Sequence, residues 1–166
     1  FNKSHKKTSI YLIKNKKHKI PDLEMRELLS TTGTINNISQ ISPNSNEFAF
    51  NIIKDNSSEI YLMNLNAEKN NYKKITNLKK LALSPIWSKK YDKIAFVYRE
   101  ETHVTGESSL WIYELNNKKY AHIKDLPISA SNSICWYKEN SIVYQNHHNQ
   151  QFTIIDIDTG EKEKLI

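Results

Sequence analysis

Residues 85–97 read PIWSKKYDKIAFV, a polar turn between two segments rich in strand-forming residues. The same register appears upstream in residues 41–50, ISPNSNEFAF, and one residue shorter downstream in residues 135–144, CWYKENSIVY. The turn motif is thus separated by 46 residues from its upstream copy and by 49 from its downstream copy. Such near-constant spacing indicates a repeat architecture.

A second marker keeps nearly the same period. Runs of β-branched, aliphatic and aromatic residues carry Ile10, Ile60, Leu110 and Phe152 at equivalent positions, at intervals of 50, 50 and 42 residues. Each period contains an entry strand, the polar turn, a short apolar strand, a third strand and, after a charged hairpin, a last strand. Four short strands in about 40 to 50 residues are typical of one β-propeller blade.

The sequence therefore predicts an all-β fold of four-stranded antiparallel blades, about three and a half in number, forming a single incomplete or partial propeller over residues 1–166. The predicted units are a partial blade and three whole ones: 9–29, 30–77, 78–124 and 125–166. Residues 22–29 also carry a loosely helical spacing of leucines, but the repeat places them in a last strand and favours strand.

The number of blades raises a question of closure. Closed propellers have four to eight blades, so this chain is too short to close by the usual scheme. An open blade face would expose a large apolar patch. We expect a fragment of a larger propeller, self-association through the open blade faces, or a partner that caps the open edges.

Composition restricts the partners. The net charge of +6 favours anionic surroundings, and the 10% aromatic content indicates a folded chain. Neither a recognised module nor a basic helix is visible, so no specific nucleic-acid partner is expected. No apolar run approaches the roughly 18 residues of a transmembrane segment. The single cysteine, Cys135, allows no internal disulfide and is expected to be a small buried residue beside Trp136.

Motifs of catalysis are missing from the sequence. There is no Gly-x-Ser-x-Gly elbow, and with glycine only at positions 33, 106 and 160 there is no phosphate-cradling loop. The segment 156–161 resembles part of a calcium loop, but a hairpin turn with Gly160 at positive φ explains it. We therefore predict a protein that is not an enzyme, with no catalytic residue and no cofactor.

Polar loops between second and third strands supply the candidate binding residues, because in a propeller these loops open on one face. The candidate partner-binding residues are Asp55, Arg99, Glu101, His103, His147 and His148. A metal site is not predicted from them, since adjacent histidines on an extended strand point in opposite directions and no His-x-x-x-His spacing supports them. Trp87, Trp111 and Trp136 could stack on sugars if exposed, but Trp87 and Trp136 occupy the core position of the repeat.

Residues 41–50 and 87–96 resemble the turn of the TolB-type propeller repeat, Trp-Ser-Pro-Asp-Gly-Lys-x-Ile-Ala-Phe, and residues 59–64, EIYLMN, resemble the strand that follows it. The resemblance covers nearly the whole chain. Asn44 and Ser45 replace Asp-Gly in the first turn. Lys89-Lys90-Tyr91 replace Pro-Asp-Gly in the second, where Tyr91 is a poor residue for a left-handed backbone.

This resemblance implies a non-enzymatic binding scaffold outside the cytoplasm, periplasmic or at the cell surface, that recognises a protein or an anionic envelope component near the channel mouth. The implied contact surface comprises loops 54–58, 99–108 and 146–150, with 31–37, 77–82 and 125–132 beside them. Two alternatives remain open. One is the propeller domain of a larger hydrolase resembling prolyl oligopeptidase, which gates a catalytic domain elsewhere. The other is a sugar- or metal-dependent site inside the channel.

Overall fold

All regular secondary structure in the described part of the chain is β-strand. The computed structural model describes residues 7–15, 23–42, 44–100, 108–128 and 134–165. The strands are β1 (Thr8–Asn15), β2 (Leu23–Thr31), β3 (Thr34–Ile38), β4 (Glu47–Lys54), β5 (Ser57–Asn64), β6 (Tyr72–Lys74), β7 (Leu81–Trp87), β8 (Lys93–Arg99), β9 (Ser108–Glu114), β10 (Lys119–Leu126), β11 (Ile134–Lys138), β12 (Ser141–Gln145), β13 (Phe152–Asp156) and β14 (Lys162–Lys164).

The strands form antiparallel meanders that follow the predicted period. β1 and β2 pair as a two-stranded half-blade. Three full blades follow, β3 to β6, β7 to β10 and β11 to β14, each with neighbouring strands hydrogen-bonded in sequence order. A single parallel bridge between Ser58 and Leu81 joins the first two full blades into one sheet. The predicted all-β, partial-propeller fold class is confirmed. Residues 25–29 lie in β2, so the strand interpretation of that segment is also correct.

Each blade has two faces, because side chains alternate along a strand. We call the side turned toward the next blade in sequence the forward face, and the other side the backward face. The forward face of each full blade carries the same triad of positions, one on the second strand and two on the third strand. The residue on the second strand pairs across the ladder with the later of the two residues on the third strand. The triads are Ala49, Ile60 and Leu62 in the first full blade, Ala95, Leu110 and Ile112 in the second, and Val143, Phe152 and Ile154 in the third.

The core consists of three layers, one between each pair of successive blades. Ala49, Ile60 and Leu62 are buried with Phe96 and Tyr113 from the backward face of the second full blade. The second triad is buried in the same way against the third full blade. Leu28 and Leu29 of the half-blade pack on the first full blade. Apolar burial of roughly 1.5–3 kcal/mol per large side chain makes these layers the main stabilising element.

Buried polar side chains connect the first two full blades. Asn51, which is fully buried, accepts a hydrogen bond from the Asn37 N–H and donates one to Ser58 Oγ at 3.0 Å. Ser58 Oγ in turn donates to the Ala82 carbonyl at 2.8 Å. Asn51 and Ser58 therefore both have hydrogen-bond partners, as low-dielectric surroundings require.

The turns of the repeat differ in their hydrogen bonding. Ser88 Oγ accepts hydrogen bonds from the N–H groups of Asp92 and Lys93 and donates one to the Asp92 carboxylate. Tyr91 has φ 57° despite being poorly suited to that region, and its ring lies 6.1 Å from the Trp87 ring. In the upstream turn the left-handed residue is Asn46 rather than Asn44.

Two tryptophans occupy the core as predicted, whereas the cysteine does not. Trp87 and Trp136 are buried, and Gly160 has the expected positive φ of 71° in the β13–β14 turn. Cys135 is exposed, so the prediction of a buried thiol is wrong. Alternation along β11 turns Trp136 toward the second full blade and places Cys135 on the forward side, where the described residues provide no further blade.

Candidate functional site

One end of the blades presents a set of hydrogen-bonded loops, which we call the loop face. In the described residues it comprises the β4–β5 turn at 55–56, the β6–β7 connection at 75–80, residues 127–128 after β10, and the β12–β13 loop at 146–151. Second-to-third-strand loops and blade-to-blade connections meet here because the strands of each meander alternate in direction.

Hydrogen bonds link these loops to one another. The Ser58 N–H donates to the Lys80 carbonyl at 2.7 Å, which ties the start of β5 to the β6–β7 connection. In the second full blade, Ser108 Oγ at the start of β9 donates to the carbonyl of Ile128, which follows β10, at 2.7 Å. The His147 N–H donates to the Pro127 carbonyl at 2.6 Å. These bonds hold the start of β5 to the β6–β7 connection, and they hold the 127–128 segment to both the start of β9 and the β12–β13 loop.

A buried carboxylate organises the β6–β7 connection. Glu59 accepts hydrogen bonds from Thr76 Oγ1 at 2.5 Å and from the N–H groups of Leu78 and Lys79 at 3.2 and 3.1 Å. Lys74 Nζ lies 3.2 Å from the same carboxylate. Burial by itself would raise the pKa of Glu59, but the hydrogen bonds from Thr76, Lys79 and Leu78 lower it below the ordinary value. Glu59 is therefore a charged structural residue near neutral pH.

The predicted partner-binding residues divide into three groups. Asp55, His147 and His148 are exposed on the loop face. Arg99, at the end of β8, is buried and is not part of the exposed surface. Glu101 and His103 lie outside the described residues.

The two adjacent histidines are closer than the sequence indicated. They lie in a turn rather than on an extended strand, and their ring centroids are 5.6 Å apart at an interplanar angle of 58°. The expectation that the two rings point in opposite directions is therefore wrong. In the described residues, no group of three or more His, Cys, Asp or Glu side chains could hold a metal ion.

A cavity of about 510 Å³ was not foreseen from the sequence. Its wall is formed by the first strands of the three full blades and the segments that follow two of them, at positions 37–40, 84–87, 89, 91 and 134–136. In a propeller the first strands line the central channel. Most of this lining lies in the later part of β3, the later part of β7 and the β7–β8 turn, so the cavity lies toward the end of the blades opposite the loop face.

Polar, aliphatic and aromatic residues all line this cavity. Trp136 Nε1 donates to the Ile86 carbonyl at 3.4 Å across the wall, and Lys89 and Tyr91 contribute from the turn. Sequence reasoning identified Trp87 and Trp136 as core residues but could not show that the strands carrying them enclose a space.

Trp111 is partly buried in an aromatic cluster rather than presented as an open platform. Its ring centroid lies 5.2 Å from Tyr98, 5.6 Å from Tyr120 and 5.7 Å from His122. Packing within the second full blade accounts for this side chain.

Comparison with known proteins addresses the fold. No protein-family model and no curated protein matches the sequence. TolB from Acinetobacter baumannii is a structural match with a TM-score of 0.65 and 15% identity, over 96% of this chain and 41% of that one. An oligogalacturonate lyase in complex with manganese matches with a TM-score of 0.64 and 10% identity, over 87% of this chain and 39% of that one. A prolyl endopeptidase matches with a TM-score of 0.60 and 8% identity, over 86% of this chain and 23% of that one.

The chain therefore spans less than half the length of each of these proteins. The described residues contain no helix with the length and hydrophobicity needed to span a bilayer. At such low sequence identities the similarity shows only a shared architecture, and proteins that share one architecture can have different activities. The repeated meanders, the apolar layers between blades and these structural matches together show that the chain has a TolB-like β-propeller fold.

Proposed function

We propose that this chain is a non-enzymatic binding scaffold that recognises a protein, or an anionic component of the cell envelope, outside the cytoplasm. The observation that carries the proposal is the hydrogen-bonded loop face, in which Ser58, Ser108 and His147 connect neighbouring loops. A preorganised surface loses little conformational entropy on binding, which favours recognition. The TolB-like fold and the net charge of +6 support the same interpretation.

The contact residues of this proposal are Asp55, His147 and His148, with Glu101 and His103 on the predicted neighbouring loop. Exposed loop side chains on a rigid frame are the usual carriers of specificity. The bonds that shape the 146–151 loop use main-chain atoms of His147, including its carbonyl, which accepts from Gln150 Nε2 at 2.8 Å. The imidazole rings can therefore be removed without removing those bonds.

Capture from an extract of envelope proteins tests the proposal. We expect His147→Ala combined with His148→Ala to reduce recovery of the specific partner about tenfold, equivalent to about 1.4 kcal/mol. Unfolding stability should change by less than about 0.5 kcal/mol, because both side chains are exposed. The readout is quantitative mass spectrometry of the captured proteins beside urea denaturation of each variant.

A matched control uses neutral polar residues at the other end of the blades. Asn44→Ala combined with Asn66→Ala changes two exposed side chains in the β3–β4 and β5–β6 turns. This control should capture the same partner as the wild-type chain. If the histidine variant and the control retain the same proteins in the same amounts, the loop face is not the contact surface.

The second candidate is the propeller domain of a larger hydrolase, which the structural match to a prolyl endopeptidase favours. An antibody against this chain would measure the size of the native polypeptide in cells. A species much larger than 19.5 kDa that also reacts with a fluorophosphonate probe would support the hydrolase. A native polypeptide that does not react would favour the binding scaffold.

A further inference from the structure

Ser84, in the wall of the 510 Å³ cavity, is only 9% exposed, and its hydroxyl has no hydrogen-bond partner among the described residues. The other buried serines all take part in side-chain hydrogen bonds; they are Ser39, Ser42, Ser58, Ser88 and Ser108. A buried hydroxyl without a partner is unfavourable, because it has lost its bonds to water. The Ser84 hydroxyl is therefore available to a molecule that occupies the cavity.

The backbone at Ser84 is strained as well. Its φ of 52° lies in the left-handed region, which residues with a side chain rarely adopt. Ser84 lies where the register of the β7–β8 ladder shifts between Leu83 and Ile86, so an irregularity of the strand sets its direction. The β3–β4 ladder shifts register between Ile35 and Ile38, beside the same cavity. Bulges and strained residues are concentrated at functional sites, which makes this wall a candidate binding site.

The rest of the lining combines hydrogen-bonding groups with apolar surface. Gln40 contributes an amide and Tyr91 a phenol, and Ile38, which is 53% exposed, contributes aliphatic surface. Among the described residues that line the cavity, Lys89 alone carries a charge. A wall with one cation and no carboxylate disfavours a cationic ligand. Its mixture of hydroxyl, amide and aliphatic groups suits a neutral ligand that has both hydroxyls and C–H surface.

We propose that this cavity binds a neutral sugar, with the Ser84 hydroxyl as one of its hydrogen-bonding partners. A sugar ring has hydroxyls around its edge, each of which donates and accepts hydrogen bonds, and C–H groups on its two faces. The hydroxyls match Ser84, Gln40 and Tyr91, and the C–H groups match the aliphatic surface of Ile38. The volume of about 510 Å³ is that of a small-molecule site. These groups belong to consecutive blades, so their placement is the same whether or not further blades adjoin them.

Isothermal titration calorimetry with three neutral disaccharides, maltose, cellobiose and diacetylchitobiose, tests the site. We expect at least one of them to bind the chain at millimolar concentration. Ser84→Ala should weaken that binding about tenfold, because it keeps Cβ and removes the hydroxyl. Ser84→Gly should weaken it equally, but its urea midpoint should not fall below that of the wild type, because glycine adopts a positive φ without strain. A purely structural Ser84 would instead lower the midpoint and leave the sugar affinity unchanged.

A serine outside the cavity provides the matched control. Ser57→Ala removes a half-buried hydroxyl at the start of β5, and it should leave the sugar affinity at the wild-type value. If none of the three disaccharides binds, or if Ser84→Ala binds as tightly as the wild type, the cavity holds water only and the proposal is overturned. The combined change of His147→Ala and His148→Ala should not alter sugar binding, because both residues lie on the loop face at the other end of the blades. Failure of sugar binding therefore leaves the proposed function untouched.

Discussion

Glu59 shows how one residue connects the strand ladder to the candidate surface. Its carboxylate is the acceptor for Thr76 and for the N–H groups of Leu78 and Lys79, so it fixes the connection between two blades. The sequence placed Glu59 in a strand that resembles a family motif, but it gave no sign that this side chain is buried. Burial depends on the neighbouring blade, which local pattern cannot show.

Replacement of Glu59 should therefore cost stability in a pH-dependent way. In Glu59→Gln an amide group replaces one of the two acceptor oxygens, and we expect a loss of about 1.5–3 kcal/mol at pH 7. The pKa of Glu59 is lowered in the folded state, so its contribution is complete above the unfolded value of about 4.3 and is lost as the pH falls through the folded value. Urea denaturation from pH 7 to pH 3 should show the difference between wild type and variant shrinking with acidification.

An exposed glutamate provides the control for this series. Glu139 pairs with Lys90 on the surface, and Glu139→Gln should change stability by no more than about 1 kcal/mol. A Glu59→Gln loss that is equally small, or one that does not change with pH, would contradict the structural role assigned to the buried carboxylate.

At the scale of elements, turns of one repeat differ in how they are held. Ser88 and Ser42 are equivalent and equally buried. Ser88 Oγ accepts from two backbone N–H groups and donates to Asp92. Ser42 Oγ accepts a hydrogen bond from the Ser45 hydroxyl, and the described residues of its turn give it no bond to a backbone N–H. The period of the motif predicted both turns, but it could not predict that Ser88 Oγ bonds to the backbone and side chain of Asp92 whereas Ser42 Oγ bonds to Ser45.

Replacing each serine by alanine should lower the free energy of unfolding by different amounts in the two turns. We expect Ser88→Ala to destabilise the chain by about 1–2 kcal/mol more than Ser42→Ala, because two half-buried backbone donors lose their acceptor. Chemical denaturation of the two variants side by side measures the difference. Equal losses would mean that the hydroxyl bonds of Ser88 do not hold the β7–β8 turn.

At the scale of the whole molecule, periodicity predicted more than chemistry did. Strand order, the all-β class and the buried Trp87 and Trp136 followed from spacing and residue type. The exposed Cys135 and the cavity depend on which blade faces are covered and how first strands converge. Those are properties of three-dimensional assembly, so a one-dimensional pattern could not supply them.

Amide hydrogen exchange measured by NMR tests most directly whether the loop face is a preformed, rigid surface. The informative amides are those of Ser58 and His147, which donate to carbonyls of neighbouring connections, and those of Leu78 and Lys79, which donate to the Glu59 carboxylate. We predict that they exchange on the same timescale as strand amides in β8, because each of them must break its hydrogen bond before it can exchange. Exchange of all four as fast as in unstructured peptide would contradict a preorganised binding surface.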